Sequence, residues 1–527
     1  MSAHRTLATA GLVVSGMFLV SRILGWVRTI VIYGAFGIGR DLDIFNAAFR
    51  LPDLIFQLVA AGALSSALIP VISGLMENGE QSRAFRVVST VTNVMLAVLL
   101  VLAVIAFVLA PVLVPIITPG FVDDPDKMAR TIELTRIMLL SPIFLAVGAV
   151  ATSLLNAQGR FAASAIAPIV YNLAIIGGAI LLKPSLGVVG LAVSVVLGSL
   201  SHVIVQIPSI LGLGFRHRFR IDLADPQARR ALTLMVPRAI GLGVTQVTFI
   251  VATAIATNYG DGALSAYQLA FVLLQIPLGV IGVPLGVVIL PALSRDAASG
   301  RVADFAGLVS RASRLLLFVM LPITGIGIVL AGDLVLLLFG GGRNSAVTLD
   351  QTASTLATFL LGLSAHALIA VLARAFYAQQ DTRTPVAAGI VSVAFNTTLA
   401  VILAGPLGLG LPGIGLAIAI GAWIEAILLL GLLRRRTPDL ALAPIGLVMS
   451  RSLVATFIAA AVTFGILGGL RLIGAPDPGK LELLVRMGVA GGLGLLTYLV
   501  FAALLRIPEL PSIVGVMVDL VRRPRQA

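Results

Sequence analysis

The chain has 527 residues, 59% of them hydrophobic and 11% charged, with a formal net charge of +13 and no cysteine. Soluble domains are typically about 25% charged, so this composition, with a mean hydropathy of +1.08, excludes a soluble globular fold. Long unbroken Leu, Ala, Val, Ile and Gly runs exclude a β-barrel, whose strands are short and alternating, and the lack of cysteine excludes disulfides and thiolate metal sites.

A bilayer span needs about 20 apolar residues. In chain order such runs fall near 8–36, 43–74, 87–117, 130–155, 162–182, 187–212, 232–257, 264–293, 308–338, 352–378, 386–404, 411–432, 447–471 and 482–505, about fourteen in all. The expected fold class is an all-α polytopic membrane protein. The first run is too long for a signal-peptide core, so no cleavable leader is expected.

That first run contains "SRILGWVRT", residues 21–29. Ser21, Arg22, Gly25, Arg28 and Thr29 share one stripe about 120° wide on a helix, opposite Ile23, Leu24 and Val27. An arginine at the centre of a span costs roughly 2.5–3.5 kcal/mol even on lenient scales. The stripe must therefore face protein or water. Two readings stand: pairing of the arginines with Asp43 and Asp53 of the next span, or a cationic surface for an anionic ligand, to which a guanidinium fork is suited. The second run adds Asp43, Arg50, Asp53 and Gln57, with Arg50 and Asp53 at a spacing that permits a local pair. Glu133 and Arg136 repeat that spacing in the fourth run. Gln268 and Gln275 lie in the eighth. Glu425 in the twelfth is a candidate protonatable coupling group or a neutral hydrogen-bonded acid.

The loops alternate in charge. One set carries Arg83, Arg86, Arg160, the cluster Arg216 to Arg230, Arg295 to Arg314, Arg374, Arg383, Arg434 to Arg436, and the tail arginines Arg522, Arg523 and Arg525. The other set is short and acidic or neutral, and holds Lys127, Lys183 and Lys480. Positive loops stay in the cytoplasm, which places both termini inside. The same rule accounts for the net charge without a nucleic-acid partner.

The chain also repeats itself. "FRLPDLIFQLVAAGALSSALIPVIS" (49–73) resembles "FVLLQIPLGVIGVPLGVVILPALS" (271–294), "LLNAQGRFAASAIAP" (154–168) resembles "FYAQQDTRTPVAAG" (376–389), and "GLAVSV" (190–195) resembles "GLAIAI" (415–420). The offsets are nearly constant, and six spans fit in each. Parallel repeats of this kind are a transporter signature, with the substrate handled between the halves. The expected organisation is an N-lobe over 1–220 (helices 1–6), a C-lobe over 221–435 (helices 7–12), and 436–527 with helices 13–14 and a basic tail. No phosphate-binding G-x-x-x-x-G-K-[ST] and no H-E-x-x-H occurs. The four histidines are scattered. An enzyme is not expected, nor a metal site or cofactor.

"SRILGWVRT", "DIFNAAFRLPDLI", "GALSSALIPV", "GVPLGVVILPALS" and "RAFYAQQDTRTP" together resemble the bacterial lipid II flippase family (MurJ, also called MviN), over the whole chain. The resemblance implies the fold of the multidrug/oligosaccharidyl-lipid/polysaccharide exporter superfamily. It further implies a central cationic cavity, a tail groove formed by helices 13–14, and a location in the bacterial inner membrane. The implied activity is translocation of undecaprenyl-diphosphate-linked peptidoglycan precursor from the inner to the outer leaflet by alternating access. Coupling would be to membrane potential or a monovalent ion, and the partners would be membrane lipids and cell-wall synthesis proteins. Ser21, Arg22 and Arg28 match the first-helix motif, Asp43 the acid opening the second helix, and Arg50 a position often basic, making these the candidate substrate-binding residues. The chain departs from the pattern at Thr29, at Phe56 and Gln57, at Ala61 and at Val272, which leaves the cavity two guanidiniums short. Gln57, Gln268, Gln275 and Glu425 are the remaining candidate cavity or coupling groups. Alternative readings are a flippase for another polyprenyl-linked glycan, a cation-coupled drug exporter, and a non-transporting cell-wall scaffold.

Overall fold

A chain this apolar must satisfy its backbone polar groups internally, and within one segment only a helix does so. A computed structural model describes residues 2–59, 63–341, 344–475 and 478–512, with side chains omitted at 2–15, 18, 63–67, 236–238, 240, 241 and 244. Ala61 and the tail arginines lie outside the described residues. Every regular element described is a helix. In the first half these are α1 (Ser2–Phe36), α2 (Arg40–Val59), α3 (Ala63–Glu77), α4 (Gln81–Ile117), α5 (Pro125–Met138), α6 (Ser141–Ala157), α7 (Phe161–Leu181), α8 (Lys183–Ile204), α9 (Ile207–Leu211) and α10 (Pro226–Ala256). The rest are α11 (Ala263–Pro277), α12 (Val283–Ala298), α13 (Val302–Phe339), α14 (Ala346–Leu360), α15 (Leu363–Ala378), α16 (Arg383–Ala404), α17 (Gly410–Arg436), α18 (Leu442–Ile473) and α19 (Lys480–Leu504).

Among the described residues, 11 stretches are long and apolar enough to cross a membrane, or 12 when α14 and α15, bent by 45° to each other, count as one. Over their described residues, the two remaining expected spans, 43–74 (α2 and α3, without 60–62) and 232–257 (α10), do not reach that standard. In α2 the reason is its charge: Arg40, Asp41, Asp43, Arg50 and Asp53 all fall in one 20-residue helix. The apolar residues left on the surface are those a bilayer would cover. In α4, Val101, Val104, Val108 and Val112 are all more than half exposed, while Ala84, Val91, Leu99 and Ala110 on the other side are buried.

The chain divides into two compact units, 1–265 and 266–527. In the first, α7 packs on α8 and α1, α2 on α5, and α3 on α6, while α10 lies against α2, α3 and α4. Close approach depends on small residues. A Cβ added at Gly178 of α7 would sit 2.0 Å from the Cβ of Ser194 on α8. In the second unit α16 packs on α17, α12 on α15, and α18 and α19 on each other and on α13. There the Tyr498 hydroxyl donates to the Phe318 carbonyl at 2.6 Å, and Arg471 pairs with buried Asp333 at 2.6 Å.

The repeat is visible in the turns. After α6, Gly159 N–H donates to Asn156 O (3.1 Å) and Arg160 N–H to Leu155 O (2.9 Å). After α15, 221 positions on, Gln380 N–H donates to Tyr377 O (2.9 Å) and Asp381 N–H to Phe376 O (2.9 Å). This is the same helix-ending motif with a left-handed residue at its centre. The turns after α3 and α12 match likewise, with Gly79 and Gly300 at φ 75° and 66°.

Candidate functional site

The polar residues of α1 and α2 are distributed over three places in the first unit. Along α1, the Ser21 carbonyl accepts from Asn172 Nδ2 of α7 at 3.3 Å, and the Arg28 guanidinium lies over the Tyr171 ring at 5.9 Å. Thr29 turns inward, its hydroxyl donating to Gly25 O at 3.1 Å. Part of the stripe thus faces α7, as a polar face in a membrane must. Arg22 is exposed and Arg28 half-buried.

Midway along α2, Arg50 reaches α10. Its Nε donates to Thr253 Oγ1 at 2.9 Å, and its guanidinium lies over Phe249 at 5.5 Å. Asp53 accepts from Gln57 Nε2 at 3.4 Å. Glu133 and Arg136 part company: Arg136 donates to Phe107 O at 3.1 Å, and Glu133 lines a cleft with Arg40, Asp41 and Arg130.

The densest cluster sits where α1 turns into α2. Asp43 has no exposed surface. Its carboxylate accepts from Gly262 N at 2.7 Å, Ser265 N at 2.9 Å and Ser265 Oγ at 2.7 Å. Lys127 Nζ approaches it at 3.4 Å while also meeting Asp261 at 2.6 Å. Lys127 lies over the Phe121 ring at 3.9 Å. Tyr33 donates to the Ser265 carbonyl at 3.1 Å, and Asn46 Nδ2 approaches Tyr33 Oη at 3.3 Å. At the rim Arg40 clamps Asp124 through both terminal nitrogens, Nη2 to Oδ1 at 2.8 Å. The Arg40 bond holds the Asp124 carboxyl down at about 2. The charge of Asp43 is therefore met by Lys127, not by the α1 arginines, which corrects the pairing considered from sequence.

In the second unit, Gln268 is half-buried and Gln275 exposed on α11, while Glu425 of α17 is half-buried beside Gly389 and hydrogen-bonded with Ser392 of α16. Sequence reasoning missed Lys127, Ser265 and Thr253. Lys127 carried a signal, as the basic residue closing the acidic turn "DDPDK". Thr253 and Ser265 carried none, because small hydroxyl residues are ordinary in membrane helices.

Long apolar helices, charged groups held inside them and a twofold internal repeat define a polytopic helical transporter rather than an enzyme. The fold resembles solved structures of that class. One titled "Lipid II flippase MurJ, inward closed conformation" superposes with a TM-score of 0.76 at 20% identity, covering 94% of this chain and 98% of that one. An inward-facing multidrug resistance MATE family transporter of the MOP superfamily gives a TM-score of 0.66 at 16% identity, over 79% and 94% of the two chains.

Residues 32–473 match the family described as Lipid II flippase MurJ, and the chain belongs to that family. The probable lipid II flippase MurJ of Rhizobium tropici is 32% identical over 429 residues, 80% of each chain. The lipid II flippase MurJ of Burkholderia cenocepacia is 32% identical over 442 residues, 83% of this chain and 84% of that one. The family match begins after Arg22 and Arg28, so those two arginines rest on the geometry of α1.

Proposed function

We propose that this chain carries lipid II across the bacterial inner membrane, with both termini cytoplasmic. Family membership over 32–473 supports the cargo, and the loop charges support the orientation. The substrate is an anionic diphosphate on a long apolar tail. Arg22 and Arg28 of α1 and Arg50 of α2 are the proposed diphosphate contacts, with Ser21 beside them. The placement of Arg22 and Arg28 on one polar stripe of a helix segment apolar enough to cross a membrane, Leu19–Phe36, is the observation that supports this assignment, because charge there needs a polar counterpart.

In this orientation the Asp43 cluster lies at the periplasmic end. There Asp43 acts as a latch, its carboxylate holding the start of α11 against α2. Three donors from Gly262 and Ser265 hold it there, and Lys127 of α5 adds a fourth contact. Gln57, Gln268 and Gln275 add neutral hydrogen-bonding capacity to the path. Glu425 is the proposed group for coupling to a monovalent ion or to membrane potential. The outer-leaflet product passes to cell-wall synthesis proteins. The domain reading is an N-lobe over 1–220, a C-lobe over 221–435 and a terminal pair that shelters the lipid tail.

The test is rescue of a bacterium depleted of its own flippase, read together with lipid II exposure on the outer leaflet. Wild type restores both and Arg28→Ala restores neither. A fully active Arg28→Ala variant refutes the diphosphate assignment, and a wild type that exposes no lipid II refutes the cargo.

A further inference from the structure

Where α12, α15 and α17 end, the second unit holds a cleft of about 740 Å³, within the range of roughly 300–1,000 Å³ usual for small-ligand sites. Asp296, Tyr377, Gln379, Gln380 and Arg436 supply its polar lining and Phe305 part of its apolar wall. None of these residues belongs to the α1–α2 site.

The charges in the cleft are already spent. Asp296 accepts from Arg301 at 2.6 Å. Arg436 is paired with Asp381, and its Nη2 donates to Thr384 Oγ1 at 3.0 Å. Gln379 donates to Thr437 at 3.3 Å. A cleft whose guanidinium is neutralised internally is a poor phosphate site. Among the described lining residues, Ser294, Tyr377 and Gln380 make no side-chain hydrogen bond; Ser294 is half-buried, while the Gln380 amide is exposed and Tyr377 is 44% exposed.

Gln380 is the unusual one. Its φ is 59°, a left-handed conformation shared among described non-glycine residues only with Arg506. Glycine is the default there, because a Cβ crowds the backbone. The repeat supplies the control: the equivalent position in the same hydrogen-bonded turn of the first unit is Gly159, φ 68°. The second unit keeps a side chain where its own duplicate dispenses with one. Strain of this kind accompanies function where the side chain is used.

We infer that this cleft binds a neutral sugar rich in hydroxyl and acetamido groups, such as an N-acetylated disaccharide. The Gln380 amide hydrogen-bonds its rim and the Tyr377 ring packs on an apolar pyranose face. An amide both donates and accepts, which suits hydroxyls and acetamido groups alike. This deepens the proposed function and rests on it for the source of the sugar, the headgroup of the lipid-linked precursor. A free soluble sugar has the same chemistry.

The experiment uses the purified full chain in nanodiscs. Two probes, free N,N′-diacetylchitobiose and a lipid-diphosphate-linked N-acetylated disaccharide, are titrated against wild type, Gln380→Gly and Tyr377→Leu. Melting temperatures are recorded alongside. Gln380→Gly relieves backbone strain, so it raises the melting temperature yet weakens binding at least fivefold; Tyr377→Leu weakens binding similarly. Tighter binding of the lipid-linked probe identifies the precursor as the source, and equal binding identifies the sugar alone. Unchanged affinity in Gln380→Gly, or no binding of either probe by wild type, overturns the inference. Lipid II translocation by wild type in the same preparation is scored separately: its absence refutes the transport reading, whereas translocation with a Gln380-independent sugar affinity refutes only the cleft.

Discussion

Replacing Lys127 by Met removes a buried cation while keeping the length of its apolar stem. Three interactions are lost. The pairing with Asp43 spans 3.4 Å between a lysine side chain 5% exposed and a carboxylate at 0%, which at an effective dielectric of 20 amounts to about 5 kcal/mol of attraction before desolvation. The contact with Asp261, 53% exposed, is worth at most about 1 kcal/mol because water screens it. The placement over Phe121 contributes about 1 kcal/mol. Breaking one side of a buried pair costs about 3–5 kcal/mol, and the low end applies here. Asp43 retains three donors, from Gly262 and Ser265, and these still solvate its charge. The helix cap is untouched, because Asp124 accepts from the Lys127 backbone. The expected loss is about 3 kcal/mol, measured by unfolding in detergent, with faster hydrogen exchange at the Gly262 and Ser265 amides. Asp43→Asn alone should also destabilise, and the double variant should lose at least about 2 kcal/mol less than the sum of the singles. Additive singles, or a Lys127→Met loss below about 1 kcal/mol, would show that the cluster is not energetically coupled.

At the cluster rim, Asp124 stays ionised down to about pH 2 because of Arg40, against an ordinary value near 3.9. A depressed carboxyl contributes stability that is complete above the ordinary value and lost as pH falls through the native one. NMR titration of Asp124 should therefore show it still mostly ionised at pH 3, and Arg40→Gln should raise its midpoint, with the Lys127 backbone N–H still holding it below the ordinary value. Gly178→Ala forces a Cβ to within 2.0 Å of the Ser194 Cβ and should cost about 1–3 kcal/mol, with Ser194→Gly in the same chain recovering most of it. Arg28→Lys keeps the charge but not the bidentate fork. It should translocate at an intermediate rate if diphosphate is the ligand, and a rate equal to wild type would show that charge alone suffices.

What was legible in the sequence followed from periodicity and charge, and what was not depended on pairing across the fold. Long apolar runs and the "LLNAQGR" and "FYAQQD" echoes are local signals, and the helices and matched turns appear where those signals put them. α2 by itself carries five charges in 20 residues, too many for a span on its own, and the same charges marked it as important. The partners of Asp43 are Lys127 in the first turn of α5 and Gly262 and Ser265 at the start of α11, 84 to 222 positions away, and nothing local announces a lysine chosen to meet a buried carboxylate. The expected local pair of Glu133 and Arg136 gave way to a contact with Phe107. An i,i+3 spacing permits a bond without requiring it.

The repeat also bears on why α1 carries arginines at all. Its counterpart by offset is α10, and at 221 or 222 positions beyond Arg22 and Arg28 stand Gly243 or Val244 and Phe249 or Ile250. None is charged. The two helices also pack differently, α1 on α7 and α10 on α2, α3 and α4. Were guanidiniums needed to seat a first helix in this architecture, both halves would carry them. Phe249 instead offers its ring to Arg50 at 5.5 Å, so the duplicate position supports a cation rather than supplying one. The second copy thus carries no charge at the positions equivalent to Arg22 and Arg28. A charge that the fold does without at the equivalent position, and that costs roughly 2.5–3.5 kcal/mol at the centre of a span, supports the proposal that Arg22 and Arg28 contact the diphosphate.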